Sequence, residues 1–288
     1  MKWTPGSGGS IDDQRGRSGV MRAGLPIGLG GALILLVGSW LTGTDLFSLL
    51  NGGTTQESAP ASESARVNST PEEQKLYDMV GAVADDLQST WGEILGARFQ
   101  RTTVVVFRGV AESACGTAQS ATGPFYCPSD RQIYLDLSFF RELSTKLGAP
   151  GEFADAYVVA HEFGHHIQTL IGTEANMQAA RRRSPGSGNA LSVALELQAD
   201  CYAGVWGHAA MQSGRAQAGR VELERGDIEA GLNAAAAVGD DRLQRRSTGH
   251  VVPDSFTHGS SAQRSAWFKK GLDAGTPNAC DTFDSANR

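Results

Sequence analysis

From residue 71 to residue 91 apolar side chains recur every three or four positions, at Leu76, Met79, Val80, Val83 and Leu87, with acidic and amide residues between them. That spacing draws one apolar stripe along an α-helix. Thr70 ahead of Pro71 suits the N-cap and first-turn positions that start it. The helix is expected to pack over a sheet. Two stretches then follow a different rule: residues 102–107 are β-branched up to Phe107 and stop at Arg108-Gly109, and residues 132–137 alternate. Both predict strands. Helical spacing returns near 151–171, 191–211 and 225–244, and in a shorter stretch at 261–272. The prediction is an α+β chain, richer in helix toward its C-terminal half. No period of 20–50 residues recurs, so this is not a repeat protein.

The first seventy residues follow neither period. Residues 1–22 are Gly/Ser-rich, with Lys2, Arg15, Arg17 and Arg22 against Asp12 and Asp13, and predict a short disordered basic lead. Residues 23–44 carry no charge and are long enough to cross a bilayer as a helix. A signal peptide usually has a shorter apolar region and a small-residue cleavage site, and a core helix would show a polar face, so an uncleaved anchor is favoured. Basic residues before the span and Asp45 after it place the N-terminus in the cytoplasm and the rest in the periplasm or outside the cell. Residues 45–70 read as a flexible Gly/Ser/Thr-rich linker. Residues 71–288 suffice for one domain with a core of ordinary size.

Charge and cysteine content narrow the class. Twenty-five basic against 31 acidic side chains leave a net charge of −6, which excludes a nucleic-acid-binding surface. The Arg181-Arg182-Arg183 run lies in a Gly/Ser/Pro-containing segment and reads as a solvated loop face. Cys115, Cys127, Cys201 and Cys280 form an even set that permits three pairings. The favoured one joins Cys115 to Cys127 across a short loop and Cys201 to Cys280, which suits an oxidising compartment; four reduced thiols are the alternative.

The chemistry is concentrated in two short motifs, His161-Glu162-Phe163-Gly164-His165 and Glu196-Leu197-Gln198-Ala199-Asp200. Residues four apart share one helix face. His161 and His165 can therefore bind one metal ion while Glu162, rotated about 100°, reaches a water at the open position. Catalytic zinc keeps three protein ligands and one open position, and Glu196 is the expected third ligand of a single Zn2+. Asp200 shares its face and is expected to accept the second N–H of His161, fixing its tautomer. The expected reaction is amide hydrolysis of peptides or unfolded protein segments, with Glu162 as general base. His258 is the candidate for stabilising the oxyanion, with Arg264 as a supporting cation. His166 points away from the ligand face and suits packing. The rivals are a tethered zinc-containing protein that grips peptides without cutting them, and a structural zinc module, which would need a fourth ligand.

These motifs, with GPFYC at 123–127, IYLD at 133–136, ELQADCYAGVW at 196–206 and VGDDRLQ at 238–244, resemble the bacterial family of putative neutral zinc metallopeptidases over about residues 71–288. The two metal motifs alone are similar to those of the wider gluzincins. The longer zincin motif is absent, since Gln168 and Ile171 stand where its glycine and third histidine would be. The resemblance implies a zincin-like helical domain with His161, His165 and Glu196 as ligands, Glu162 as base and Asp200 behind the metal. It also implies a small sheet whose edge strand, expected at residues 133–136, borders the cleft, although the sequence alone suits an interior strand there equally well.

Overall fold

The computed structural model describes residues 1–16, 67–119 and 123–283. In chain order the elements are β1 (Ile11–Asp13), α1 (Pro71–Leu95), β2 (Thr103–Phe107), β3 (Val110–Ser113), β4 (Gly116–Gln119), β5 (Phe125–Cys127), β6 (Gln132–Asp136), α2 (Ser138–Thr145), α3 (Glu152–Ile171), α4 (Thr173–Arg183), α5 (Gly188–Ala210), α6 (Asp227–Ala237), α7 (Asp240–Thr248) and α8 (Ser261–Ala274). The α+β expectation holds. Thr70 caps α1, its Oγ1 accepting from Glu73 N at 3.2 Å, and the helix continues one turn past the expected end to stop before Gly96.

The main sheet has the order β1-β2-β6-β5, with β5 antiparallel and the other pairs parallel. Successive residues of β2 point to opposite faces. Val104 and Val106 join the large core with Met79, Val83, Leu87 and Trp91 of α1, while Val105 and Phe107 pack with Ala111, Ala118 and Tyr134 under the β3–β4 hairpin. Both faces are covered, and so residues 104–107 are continuously apolar instead of alternating. α3 is the central helix, buried along most of its length.

Several expectations are corrected. Residues 133–136 form β6, which is interior; the edge strand at that side of the sheet is β5. A strand that pairs on both sides cannot offer its backbone to a peptide. The N-terminal lead is ordered over residues 1–16, where β1 pairs with β2. The helix expected over 225–244 is two helices, broken at Gly239, where a Cβ would stand 2.3 Å from Ser261 N. The arginine run closes α4, not a loop, with all three residues exposed at the end of the helix where the dipole favours cations. Among the described residues no helix is long and apolar enough to cross a membrane; the expected span at 23–44 lies outside them, as does most of the 45–70 linker. Both disulfides follow the favoured pairing: Cys115–Cys127 pins the β3–β4 hairpin to β5, and Cys201–Cys280 ties the C-terminal segment to α5.

Candidate metal centre

α3 and α5 cross at Gly164 and Ala199, so closely that a Cβ on Gly164 would lie 2.9 Å from Ala199 Cα. The glycine inside the first motif thus lets the two motifs meet. Nitrogens of His161 and His165 and a carboxylate oxygen of Glu196 lie within 4.8 Å of one another. His161 Nε2 is 3.1 Å from Glu196 Oε2, and His165 Nε2 is 3.5 Å from Glu196 Oε1.

The opposite ring nitrogens are occupied. His161 Nδ1 lies 2.8 Å from Asp200 Oδ1 and His165 Nδ1 lies 2.8 Å from Gln168 Oε1. With Nδ1–H donated in each case, both Nε2 lone pairs converge on the same point as Glu196. Two imidazoles and one carboxylate with one side open to a cavity are the donor set that zinc takes in hydrolytic sites, and the residues fit that ion.

The electrostatics favour a cation at this point. Burial would lower the pKa of His161, but Asp200 and Glu196 outweigh it and carry it up to about 10. Burial likewise works to raise the carboxyl of Glu196, yet His165 and His161 hold it well below the ordinary range. Asp200 is fully buried and lowered, because Arg264 and His161 overcome its desolvation. The hydroxyl of Tyr157, one turn before His161, also donates to Asp200 Oδ1, and burial raises its pKa.

Beside these residues lies a cavity of about 590 Å3, lined by His161, Glu162, His165, Glu196 and His258. Phe125, Phe139, Leu147, Val158, Val238 and Leu243 also line it and make much of its surface apolar. Glu162 is 7% exposed and lines this space. His258 comes from the turn before α8. Asp240, the first residue of α7, accepts the backbone N–H groups of Thr257, His258 and Gly259 at 2.7, 2.7 and 3.1 Å through Oδ2, and its Oδ1 is 3.1 Å from His258 Nδ1. The break at Gly239 makes this contact possible.

The structure brings the expected metal-site residues to one place. Arg264 lines the same cavity, is 4% exposed and is bound to Asp200. His166 is fully buried; its Nε2–H donates to Gln100 O at 2.7 Å, and Nδ1 accepts from the Tyr126 hydroxyl at 3.1 Å, tying α3 to β5. Sequence reasoning missed Tyr157 and Gln168 as supports. Their spacings, four before His161 and three after His165, were visible as helix-face neighbours. The link from Asp240 to His258 had no such local signal.

The family model described as putative neutral zinc metallopeptidase matches residues 1–283. The uncharacterized protein YpfJ of Escherichia coli (strain K12) is 44% identical over 286 residues, 95% of each chain. The uncharacterized proteins Rv2575 of Mycobacterium tuberculosis (strain ATCC 25618 / H37Rv) and Mb2605 of Mycobacterium bovis (strain ATCC BAA-935 / AF2122/97) are each 44% identical over 212 residues, 72% of this chain and 71% of theirs. No solved structure matches.

Proposed function

The chain belongs to the neutral zinc metallopeptidase family, and on that premise we propose that it is a membrane-attached endopeptidase that cuts extended or unfolded protein segments. The observation that carries this reading is the convergence of the His161, His165 and Glu196 donors within 4.8 Å beside a cavity that Glu162 also lines. Zinc held by those three residues would supply Lewis acidity, lowering the pKa of a water and polarising the scissile carbonyl.

The chain's own groups do the rest. Glu162 takes a proton from the attacking water as its oxygen adds to the carbonyl carbon, then delivers that proton to the nitrogen as the C–N bond breaks. Asp200 and Gln168 hold the two imidazoles with Nε2 forward. His258, with Nδ1 3.1 Å from Asp240 Oδ1, lines the cavity and would turn its other ring nitrogen toward the developing oxyanion. β5 contributes Phe125 and Tyr126 to the cavity, and an extended peptide adding to this edge strand would set its scissile bond beside Glu162. The apolar lining residues suit a bulky apolar side chain next to that bond. The charge-free stretch 23–44 supports attachment to a membrane, and two disulfides support an oxidising compartment.

The test compares the full-length protein in detergent with its Glu162→Gln variant for zinc content and for cleavage of an unstructured protein. One zinc per chain is expected in both, with cleavage slowed by about 10²–10⁴-fold in the variant. Equal cleavage by the two would remove Glu162 as the base. Zinc in both and no cleavage of a broad substrate panel by the parent would replace the peptidase with a peptide-binding protein.

A further inference from the structure

The metal site leaves one large feature unused: the N-terminal segment is built into the same compact unit that carries it. β1 extends the main sheet in parallel register, Ile11 opposite Val104 and Asp13 opposite Val106. Ser10 O accepts from Val104 N at 2.9 Å, and Gln14 N donates to Val106 O at 2.7 Å. Without β1 these groups of a fully buried strand would lie at a bare sheet edge.

The contacts extend well beyond the ladder. Asp85 of α1 takes Ser7 N, Ser7 Oγ and Ser10 Oγ at 2.7, 2.9 and 2.5 Å. Gly6 passes so near α1 that a Cβ there would meet the Gly81 backbone at 3.0 Å. Trp3 Nε1 donates to Glu152 at the start of α3, 3.2 Å away, and Lys2 bridges to Glu222. Arg15 is 5% exposed, paired with Asp13 at 2.7 Å and seated over the Tyr77 ring. Backbone pairing, side-chain hydrogen bonds and close backbone packing thus act together along residues 2–15.

The two ends of the intervening stretch also meet. Arg15 Nη1 is 3.7 Å from Glu73, Glu73 binds Arg108 at 2.6 Å, and Arg108 Nη2 reaches Asn68 O at 2.9 Å. Arg15 and Asn68, from either side of the stretch outside the described residues, thus meet at one ion cluster.

We infer that residues 1–16 lie on the same side of the membrane as the metal site. This departs from the single-pass expectation, in which the N-terminus stays in the cytoplasm while the metal-site unit is exported. A bilayer core about 30 Å thick cannot separate two segments that share backbone hydrogen bonds and ion pairs. The inference rests on the proposed membrane attachment of residues 23–44, and it allows that attachment only in an arrangement that returns the chain to the side it left.

Thr4 and Val252 are both exposed, and neither side chain has a role in the contacts above. Thr4→Cys and Val252→Cys, introduced separately into the full chain, whose native cysteines are all paired, are treated with a membrane-impermeant maleimide in intact spheroplasts and again after lysis. The same pattern at both positions is expected. Labelling of both before lysis supports the inference with an exported unit; labelling of both only after lysis supports it while removing export. Labelling of one position before lysis and of the other only after it would overturn the inference.

A second measurement separates loss of folding from loss of docking. With a protease site placed after Thr55 and a tag at the C-terminus, the cut full-length protein in detergent should retain its N-terminal fragment on the affinity resin. Trp3→Ala with Ile11→Asp should release that fragment. Release from the chain carrying neither substitution would overturn the inference.

Discussion

Arg264 grips both carboxylate oxygens of Asp200, with Nε 2.9 Å from Oδ2 and Nη2 2.9 Å from Oδ1. The pair joins α8 to α5 behind the candidate ligands His161 and Glu196. α8 reaches this depth because Gly271 packs directly on the backbone of Cys201, where a Cβ would stand 1.9 Å from its carbonyl oxygen. Asp200 thus holds His161 on one side while its charge is balanced on the other.

Arg264→Met should therefore strand a fully buried carboxylate. Removing one partner of a buried ion pair costs about 3–5 kcal/mol, and urea denaturation of the zinc-free protein measures it. Asp200→Asn keeps the shape but weakens the acceptor for His161, and a chelator competition should find zinc affinity down by about 10–100-fold. A loss under about 1 kcal/mol for Arg264→Met, together with unchanged zinc affinity for Asp200→Asn, would reduce the pair to surface-like decoration.

His258 should matter to turnover and not to the metal. His258→Phe fills the same space without an N–H, so cleavage is expected to fall by about 10²–10³-fold with zinc content unchanged and KM little altered. Asp240→Asn removes the charge facing His258 and should lower kcat in the same direction. Steady-state kinetics on one peptide substrate decide it; full activity in His258→Phe would take the oxyanion role away from this residue.

Asp155 predicts a pH dependence of stability away from the centre. Burial, with Glu152 nearby, pushes its carboxyl up to about 7, and its Oδ1 has no hydrogen-bond partner among the described residues. The native state therefore holds its proton more tightly than the unfolded chain, whose carboxyl titrates near about 4. The stability contributed by the protonated form is complete below about pH 4 and is lost as pH rises through about 7. Asp155→Asn removes the titration. Relative to the parent, its stability should grow from pH 4 to pH 8, reaching about 1–3 kcal/mol. Parallel unfolding curves for the two proteins across that range would show that Asp155 is not strained.

How legible each part was depended on how far apart its pieces lie in the chain. His161, Glu162 and His165 are placed by helix geometry within five residues, as are Glu196 and Asp200. The Cys115–Cys127 pairing followed from a short loop. β1 was missed because Ile11-Asp12-Asp13 has no strand pattern of its own; its structure comes from the donors and acceptors of β2. The edge strand was misassigned to residues 133–136 for a related reason, since Phe125-Tyr126-Cys127 is three residues long and only its pairing with β6 identifies it.

The sequence by itself pointed to the candidate ligands His161, His165 and Glu196, to Glu162 beside them, to the helices that carry them, to the α+β class and to the favoured disulfide pairing, because each depends on local periodicity, residue chemistry or a small number of pairings. Only the tertiary structure decided that Arg264 balances Asp200, that Asp240 orients His258, that β5 lines the cavity and that residues 1–16 complete the sheet. Those relations join residues far apart in the chain, Ile11 and Val104 by 93 positions, and packing selects them from many equally plausible partners. What selects them is the cost of burying an unpaired charge or backbone group, a cost that exists only once the chain has closed around it.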